Sequence, residues 1–152
     1  MASIRVLLVD DEERFLSTTK TLLEKRGVET FTATNGRDAL AILEANRIDV
    51  VVLDVKMPGM DGREVLRRIK HDYALVEVVM LTGHATVDSA IEGMKLGAFD
   101  YLLKPVKFED LLEKMAEAFR KKSTHDKKIR DAKIKELLRF PGRVFDQEKE
   151  KP

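Results

Sequence analysis

Residues 50–62, VVVLDVKMPGMDG, join an unbroken apolar run to a turn rich in glycine and proline, with Asp54 at the junction. Such a run is typical of a strand that helices cover on both faces of a parallel sheet. Three of the five apolar runs in the chain are nearly continuous in this way, which predicts that they lie at the centre of a sheet. The five predicted strands are residues 4–9, 28–33, 50–55, 76–81 and 99–103.

The segments between these runs have apolar residues at helical spacing. In the fourth segment they are Val87, Ala90, Ile91 and Met94, and in the fifth Phe108, Leu111, Leu112, Met115 and Phe119. Strand alternating with helix five times predicts an α/β fold, because parallel strands need crossover connections. The expected architecture is a flavodoxin-like, doubly wound, five-stranded parallel sheet of order 2-1-3-4-5 with five helices, over residues 3–122.

The remaining segment, residues 123–152, is dense in lysine, arginine and glutamate. Its few apolar residues predict one short helix that ends at Pro141-Gly142. Acidic residues interrupt the basic ones, which favours a solvated helix over a nucleic-acid-binding surface. Thirty residues are also too few for a usual DNA-binding domain. We therefore expect a charged, partly helical C-terminal tail and no direct nucleic-acid binding by this chain.

Composition excludes several classes of function. The chain has 28 basic and 27 acidic residues, so its formal charge of +1 attracts neither nucleic acid nor membrane. It has no cysteine, which excludes disulfides and thiolate chemistry and is typical of a reducing cytosol. No apolar stretch reaches the roughly 20 residues that cross a bilayer. The three histidines have no metal-ligand spacing. We expect a cytoplasmic protein whose function depends on a local arrangement of residues.

Polar residues follow four of the five predicted strands. They are Asp10 and Asp11 after the first, Asp54 at the end of the third, Thr82 after the fourth and Lys104 after the fifth. In open α/β sheets the ligand site lies at the carboxyl ends of the strands, where the strand order reverses. The first and third strands are neighbours in the order 2-1-3-4-5, so the three aspartates are expected to meet there.

Three clustered carboxylates require compensating positive charge. Two unit charges about 4 Å apart repel by roughly 4 kcal/mol at an effective dielectric of 20. Lys104 alone cannot balance three carboxylates, which implies a divalent cation. An all-oxygen ligand set favours magnesium over zinc. A site with few protein ligands would share its metal with a phosphoryl group.

Each of these residues also has an ordinary structural interpretation. Asp10 and Asp11 could cap the first helix, and Asp54 could be a turn residue. Thr82 could simply end a strand, and Lys104 could be a solvated surface lysine. Their coincidence at one edge of the sheet favours a functional site.

Three segments resemble the response regulator receiver family: VLLVDDEERFL at residues 6–16, VVLDVKMPGMDGREVL at 51–66, and VVMLTGHATVDSAIEGMKLGAFDYLLKP at 78–105. Any one segment is suggestive, whereas their ordered set is specific. The resemblance covers about residues 3–122. Parts of the sequence are similar to those of receivers in nitrogen-regulation-type activators. The chain could therefore be a stand-alone receiver or a fragment of a longer regulator.

The resemblance implies a role for each site residue. Asp54 would accept a phosphoryl group from the phosphohistidine of a sensor histidine kinase or a phosphotransfer protein. Asp11 and Asp54 would bind Mg2+ directly, Asp10 through water, and Lys56 through its backbone carbonyl. Thr82 and Lys104 would hold the phosphoryl oxygens, and the Lys104–Pro105 peptide bond would be cis. Lys56, Gly83 and His84 lie at positions that vary in the family and tune the lifetime of the phosphoryl group.

The same resemblance implies an output. Thr82 and Tyr101 would form a switch that changes the surface of the fourth helix, fifth strand and fifth helix, with homodimerisation as one possible result. The phosphoacceptor would be a switch that assists its own phosphorylation and dephosphorylation, not an enzyme.

Two other classes of function are alternatives to this interpretation. A haloacid-dehalogenase-type phosphatase needs an acid two residues after its nucleophile, where this chain has Lys56. A pure interaction module would not need the intact acceptor, acid pair, threonine and lysine.

Overall fold

A computed structural model describes residues 4–55, 61–83 and 87–139. Its five strands form one parallel sheet of order β2-β1-β3-β4-β5, which confirms the predicted order. Each predicted strand agrees with the observed one to within a residue at either end. The strands are β1 (Arg5–Val9), β2 (Glu29–Ala33), β3 (Val50–Asp54), β4 (Glu77–Thr82) and β5 (Asp100–Leu103).

Five helices connect or follow these strands in the described part of the chain. They are α1 (Glu13–Lys25), α2 (Gly36–Ala45), α3 (Gly62–Asp72), α4 (Val87–Lys95) and α5 (Phe108–Arg139). Local signals set several of their starts: Asn35 Oδ1 accepts from the Asp38 amide at α2, and the Asp61 side chain accepts from the Arg63 amide at α3. The described helices include none long and apolar enough to cross a membrane.

The sheet separates two apolar clusters. The first contains Leu7, Leu53 and Met80 with the buried faces of α2 and α3, and the second contains Leu8, Val52 and Leu81 with the buried faces of α1 and α5. Neighbouring residues of a strand enter opposite clusters because side chains alternate across a sheet. The central strands β1, β3 and β4 are therefore buried on both faces, and every residue of β3 and β4 is buried. This explains their continuous apolar sequence.

The first part of the predicted C-terminal tail is helical and is continuous with α5. α5 continues to Arg139, through the point at which the tail was expected to begin. The physical reason is that residues 106–140 contain no glycine or proline, so the sequence has no helix breaker there. The chain divides into two compact units, residues 1–122 and 123–152. The predicted helix end at Pro141-Gly142 lies outside the described residues.

Candidate functional site

The carboxyl ends of the parallel strands bring the predicted site residues to one edge of the sheet. Asp54 is the last residue of β3, and Asp10 follows the last residue of the adjacent strand β1. Thr82 ends β4, where its carbonyl accepts from the Lys104 amide just beyond β5 at 2.9 Å. Asp10, Asp54 and Thr82 are buried, with exposed fractions of 3%, 6% and 3%. Side chains of this polarity are not buried for packing alone.

The three aspartates form an oxygen-rich cluster. One carboxylate oxygen from each of Asp10, Asp11 and Asp54 lies within 4.8 Å of the other two. Asp11 is exposed, whereas the other two are buried. Oxygen donors at this separation, open to solvent on one side, fit a hard divalent cation that keeps some of its water. The residues present are therefore suited to hold Mg2+.

Lys104 enters this cluster from the end of β5. Its Nζ donates to Asp10 Oδ2 at 2.5 Å and to Glu12 Oε1 at 3.3 Å, and it lies 3.8 Å from Asp54 Oδ2. The ammonium also lies 4.8 Å from the centroid of the Phe15 ring, within the range of a cation–π contact. One ammonium thus interacts with three carboxylates and one aromatic face.

Burial and charge act in opposite directions on the pKa values of Asp10 and Lys104. Burial raises the pKa of Asp10, and the hydrogen bonds from Lys104 and the Glu12 amide only partly oppose this. Burial also acts to lower the pKa of Lys104, but the hydrogen bond and charge of Asp10, with the charge of Asp54 and a contact to Glu12, raise it overall. The site therefore favours the charged form of Lys104.

Backbone geometry also constrains how α3 approaches the end of β3. Gly62 is buried at the start of α3, and its amide donates to the Val55 carbonyl at 3.2 Å. A Cβ atom at Gly62 would lie 2.6 Å from both the Cα and the carbonyl oxygen of Val55, and 2.8 Å from the Asp54 carbonyl oxygen. Only glycine permits this close approach of α3 to β3.

The remaining predicted residues differ in how the structure places them. The Lys104–Pro105 peptide bond is cis. Tyr101 is half-buried against the first apolar cluster, on the face that also contains Met80. Thr82 lies two residues after Met80 and therefore on the same face as Tyr101. Lys56 and His84 lie outside the described residues.

Sequence reasoning missed Glu12. It follows the acid pair, and an acidic residue just before a helix is usually interpreted as a helix cap. Its backbone amide donates to Asp10 Oδ1 at 2.9 Å, and its side chain contacts Lys104. The signal that could have found it is its place next to the acid pair, at the same edge of the sheet as Lys104.

A family model described as the response regulator receiver domain matches residues 6–116. Regulatory protein AtoC of Escherichia coli is 37% identical over 107 residues, which cover 70% of this chain and 23% of AtoC. Sporulation initiation phosphotransferase F of Bacillus subtilis is 35% identical over 111 residues, or 73% of this chain and 90% of that protein. The chain thus spans about a quarter of the length of AtoC and most of the phosphotransferase.

Solved structures agree with the sequence comparisons. A response regulator receiver domain protein from Clostridium thermocellum is 41% identical with a TM-score of 0.75, and the match covers 80% of this chain and 98% of that one. A CheY-like receiver domain protein from Methanospirillum hungatei has a TM-score of 0.79 at 31% identity, with 82% and 99% covered. By sequence, fold and family model, this chain belongs to the response regulator receiver domain family of two-component signalling.

Proposed function

We propose that Asp54 is the residue that accepts the phosphoryl group, which is the family's role. The observation that carries this proposal is the position of Asp54: a buried carboxylate at the end of a central strand, clustered with two further aspartates and 3.8 Å from Lys104. A buried carboxylate close to two others lowers the stability of the fold, because its desolvation and the repulsion between the charges are unfavourable. Such an arrangement is therefore typical of a functional site. The competing phosphatase class needs a second acid two residues after its nucleophile, and this chain has Lys56 at that position.

The reaction is a transfer between two nucleophiles. A carboxylate oxygen of Asp54 attacks the phosphorus of a phosphohistidine, a P–O bond forms, and the P–N bond breaks with its electron pair returning to the imidazole. Lys104, already held at the site, provides a cation for the equatorial phosphoryl oxygens, and Thr82 provides a hydroxyl. Both act by stabilising charge.

Receiver domains bind Mg2+ at an acidic aspartate cluster, and in this chain Asp10, Asp11 and Asp54 would hold it with the backbone carbonyl of Lys56. When bound, the cation supplies positive charge that offsets the repulsion between the carboxylates and the incoming phosphoryl group. The acyl phosphate so formed is hydrolysed by water, and the same residues assist that loss. We therefore propose a phosphoacceptor switch that assists its own phosphorylation and dephosphorylation, and not an enzyme acting on an external substrate.

Receiver domains interact with histidine kinases or phosphotransfer proteins, and a groove beside the site supports a docking position for such a partner. The groove has a volume of about 690 Å3 and lies between α1 and the start of α5. Phe15, Leu22, Val106 and Phe108 give it an apolar lining, and Lys104 lies at its border. A helix that carries the phosphohistidine could pack there and present its imidazole to Asp54.

The output surface that we propose is formed by α4, β5 and α5. Its α4 and β5 parts expose large apolar side chains: Ile91, Met94 and Leu103 are 48%, 46% and 54% exposed. Large apolar side chains that are exposed to solvent can mark a protein interaction site. We propose that phosphorylation changes this surface through Thr82 and Tyr101, with homodimerisation or control of an output domain as the result.

The cytoplasmic location of the protein stays a prediction.

The test of the acceptor is direct. Acetyl phosphate with Mg2+ is expected to add one base-labile phosphoryl group to the wild-type chain, measured by intact mass. Asp54→Asn should not be labelled, because the amide is not a competent nucleophile. Equal labelling of Asp54→Asn would show that another residue is the acceptor. Asp11→Asn should weaken Mg2+ binding in a calorimetric titration, and an unchanged affinity would contradict the proposed metal site.

A further inference from the structure

We propose that Glu12 is a positioning residue for Lys104, which it holds in a resting position in competition with a phosphoryl group on Asp54. This inference rests on the proposed function of Asp54. Lys104 contacts three carboxylates, of which Asp10 and Asp54 already have roles in the site. Glu12 is the third, at 3.3 Å, and the phosphoacceptor chemistry gives it no task.

The local structure directs the Glu12 side chain to Lys104 and away from its own helix. Glu12 is the N-cap residue of α1, with an extended backbone at φ −87° and ψ 99°. An acidic side chain at an N-cap commonly accepts from the first amides of the helix. Glu12 makes no such capping bond, and Lys104 is its hydrogen-bond partner. The backbone amide of Glu12 fixes this arrangement by donating to Asp10 at 2.9 Å.

The distances indicate a competition. Lys104 lies closer to Asp10 and Glu12 than to Asp54, where the phosphoryl group would be added. Three contacts on one side of Lys104, to Asp10, Glu12 and the Phe15 ring, favour this resting position. Phosphorylation replaces the single charge of the Asp54 carboxylate by close to two negative charges on the phosphoryl oxygens, which should draw the ammonium toward them. Moving Lys104 then loosens its contact with Glu12.

Exposure sets the strength of this restraint. The Glu12 side chain is 65% exposed, whereas the Lys104 side chain is 18% exposed. Ion pairs with an exposed partner are weak because water screens them. Glu12 therefore restrains Lys104 without preventing its movement, and its removal should favour the phosphorylated arrangement modestly. The cation–π contact of Lys104 with the Phe15 ring does not depend on Glu12.

The test uses beryllofluoride, a phosphoryl mimic that adds to the acceptor carboxylate, in saturating Mg2+, with affinity measured by calorimetry. Glu12→Gln should bind the mimic about two- to fivefold more tightly than wild type, the range of one exposed ion pair. Glu12→Asp keeps the charge but is one methylene shorter, so it should also bind more tightly. Glu13→Gln is the matched control, because Glu13 is an exposed acid at the next position. It should bind as wild type does.

Two outcomes would overturn the inference. In the first, Glu12→Asp binds beryllofluoride as wild type does, and Glu13→Gln binds it more tightly. Affinity would then depend on the charge alone, and Glu12 would act only by repelling the anion. If the effect of Glu12→Gln persists undiminished in a Lys104→Gln background, Glu12 does not act through Lys104. A wild-type chain that neither binds the mimic nor is labelled at Asp54 would contradict the proposed function itself. The two failures are therefore distinguishable.

Discussion

The Lys104 ammonium lies 3.8 Å from Asp54 Oδ2, within the range of an ion pair but beyond that of a hydrogen bond. A phosphoryl oxygen bonded to Asp54 would project toward the ammonium and could close this gap. Lys104→Gln is therefore expected to reduce the rate of labelling by acetyl phosphate at least about tenfold, because it removes a charged donor to the transferring group. The measurement is the initial rate of mass increase at fixed Mg2+ concentration.

Lys107→Gln is the matched control for this prediction. Lys107 is exposed and lies three residues further along the chain, so its substitution removes the same charge from the same region. It should leave the labelling rate nearly unchanged. A comparable fall in both variants would mean that net charge, and not the position of Lys104, controls access of the anionic donor.

The sequence was sufficient to predict the sheet and the edge where the site lies. Continuous apolar runs predict central strands because helices cover both faces, and parallel strands place their carboxyl ends together. Asp10, Asp54 and Lys104 could thus be brought together from their positions at strand ends alone. The end of α5 was harder, because helix ends depend on breakers, and residues 106–140 contain none.

The contacts of individual charged side chains could not be predicted. Asp49 and Glu77 precede or begin central strands and are almost fully buried, at 1% and 2% exposure. Charged residues at strand ends are usually solvated, and the sequence does not say which of them turn inward. Each has a partner from a distant segment beside its nearer ones: Lys122 approaches Asp49 at 3.4 Å, and Lys121 approaches Glu77 at 3.6 Å. Only the packing of α5 on the sheet brings these groups together.

Substitution of Gly62 should destabilise the contact between α3 and the end of β3. In Gly62→Ala, the new methyl group would overlap the backbone at Val55 and Asp54, so the start of α3 or the end of β3 must shift. We expect a loss of about 1–3 kcal/mol in the free energy of unfolding, as for other overpacked sites, measured by urea denaturation. Mg2+ affinity should fall with it.

Gly83→Ala provides the comparison. Among the described residues, a Cβ atom there would meet only the Cβ of Lys104, at 4.0 Å, which is an ordinary contact. Its unfolding free energy should change by less than about 0.5 kcal/mol. If Gly62→Ala were as stable as Gly83→Ala, the close approach of α3 to β3 would not restrict the residue at position 62.

The buried carboxylate of Asp49 should matter more to stability than any exposed ion pair. It accepts from the Arg5 amide at 2.9 Å and from Arg47 at 3.0 Å. Asp49→Ala leaves these donors without an acceptor and should cost about 3–5 kcal/mol of unfolding free energy. Asp49→Asn keeps an acceptor for the amide and should cost about 1–3 kcal/mol.

The control for Asp49 is Glu24→Ala, since Glu24 is exposed and lies 4.0 Å from Lys20 within α1. Its unfolding free energy should change by about 0.5 kcal/mol or less. Thermal or urea unfolding of the three variants gives the ranking. A loss for Asp49→Ala no larger than that for Glu24→Ala would show that the network around Asp49 does not stabilise the fold.

The Asp100–Lys114 pair should give stability that depends on pH. Burial acts to raise the pKa of Asp100, but the hydrogen bonds from Lys114 and the Tyr101 amide outweigh it and lower the pKa below 3.8. A carboxyl group with a lowered pKa stabilises the fold above its unfolded pKa, and this contribution is lost as pH falls through the lower folded value. Because the Asp100 side chain is 40% exposed, the contribution should be below about 1 kcal/mol.

The measurement is the difference in unfolding free energy between wild type and Asp100→Asn at several pH values. Asparagine keeps an acceptor for the Tyr101 amide at position 100 but cannot ionise. The difference should be constant from pH 7 to pH 5 and should shrink below pH 4, as the wild-type carboxyl group becomes neutral. A difference that stayed constant to the lowest pH would mean that the charge of Asp100 does not contribute.

The last prediction concerns the route by which phosphorylation reaches the surface of α4, β5 and α5. Thr82 and Tyr101 lie on the same face of the sheet, on adjacent strands, and Tyr101 is only half-buried. A phosphoryl group can shift a conformational equilibrium only if it interacts differently with the two states, and the Thr82 hydroxyl is a neutral group that could move toward it. Its movement would leave space that the Tyr101 ring could enter.

Burial of that ring would reshape the surface next to Ile91, Met94 and Leu103, so beryllofluoride with Mg2+ should increase self-association of the wild-type chain in sedimentation velocity. Ile91→Asp should abolish the increase, because it places a charge among exposed apolar side chains. Leu22→Asp, on the exposed part of α1, should not. Thr82→Ala should still bind the mimic but lose most of the increase, since the hydroxyl that couples site and surface is absent. If the mimic increased association equally in wild type and Thr82→Ala, coupling would not pass through Thr82 and Tyr101.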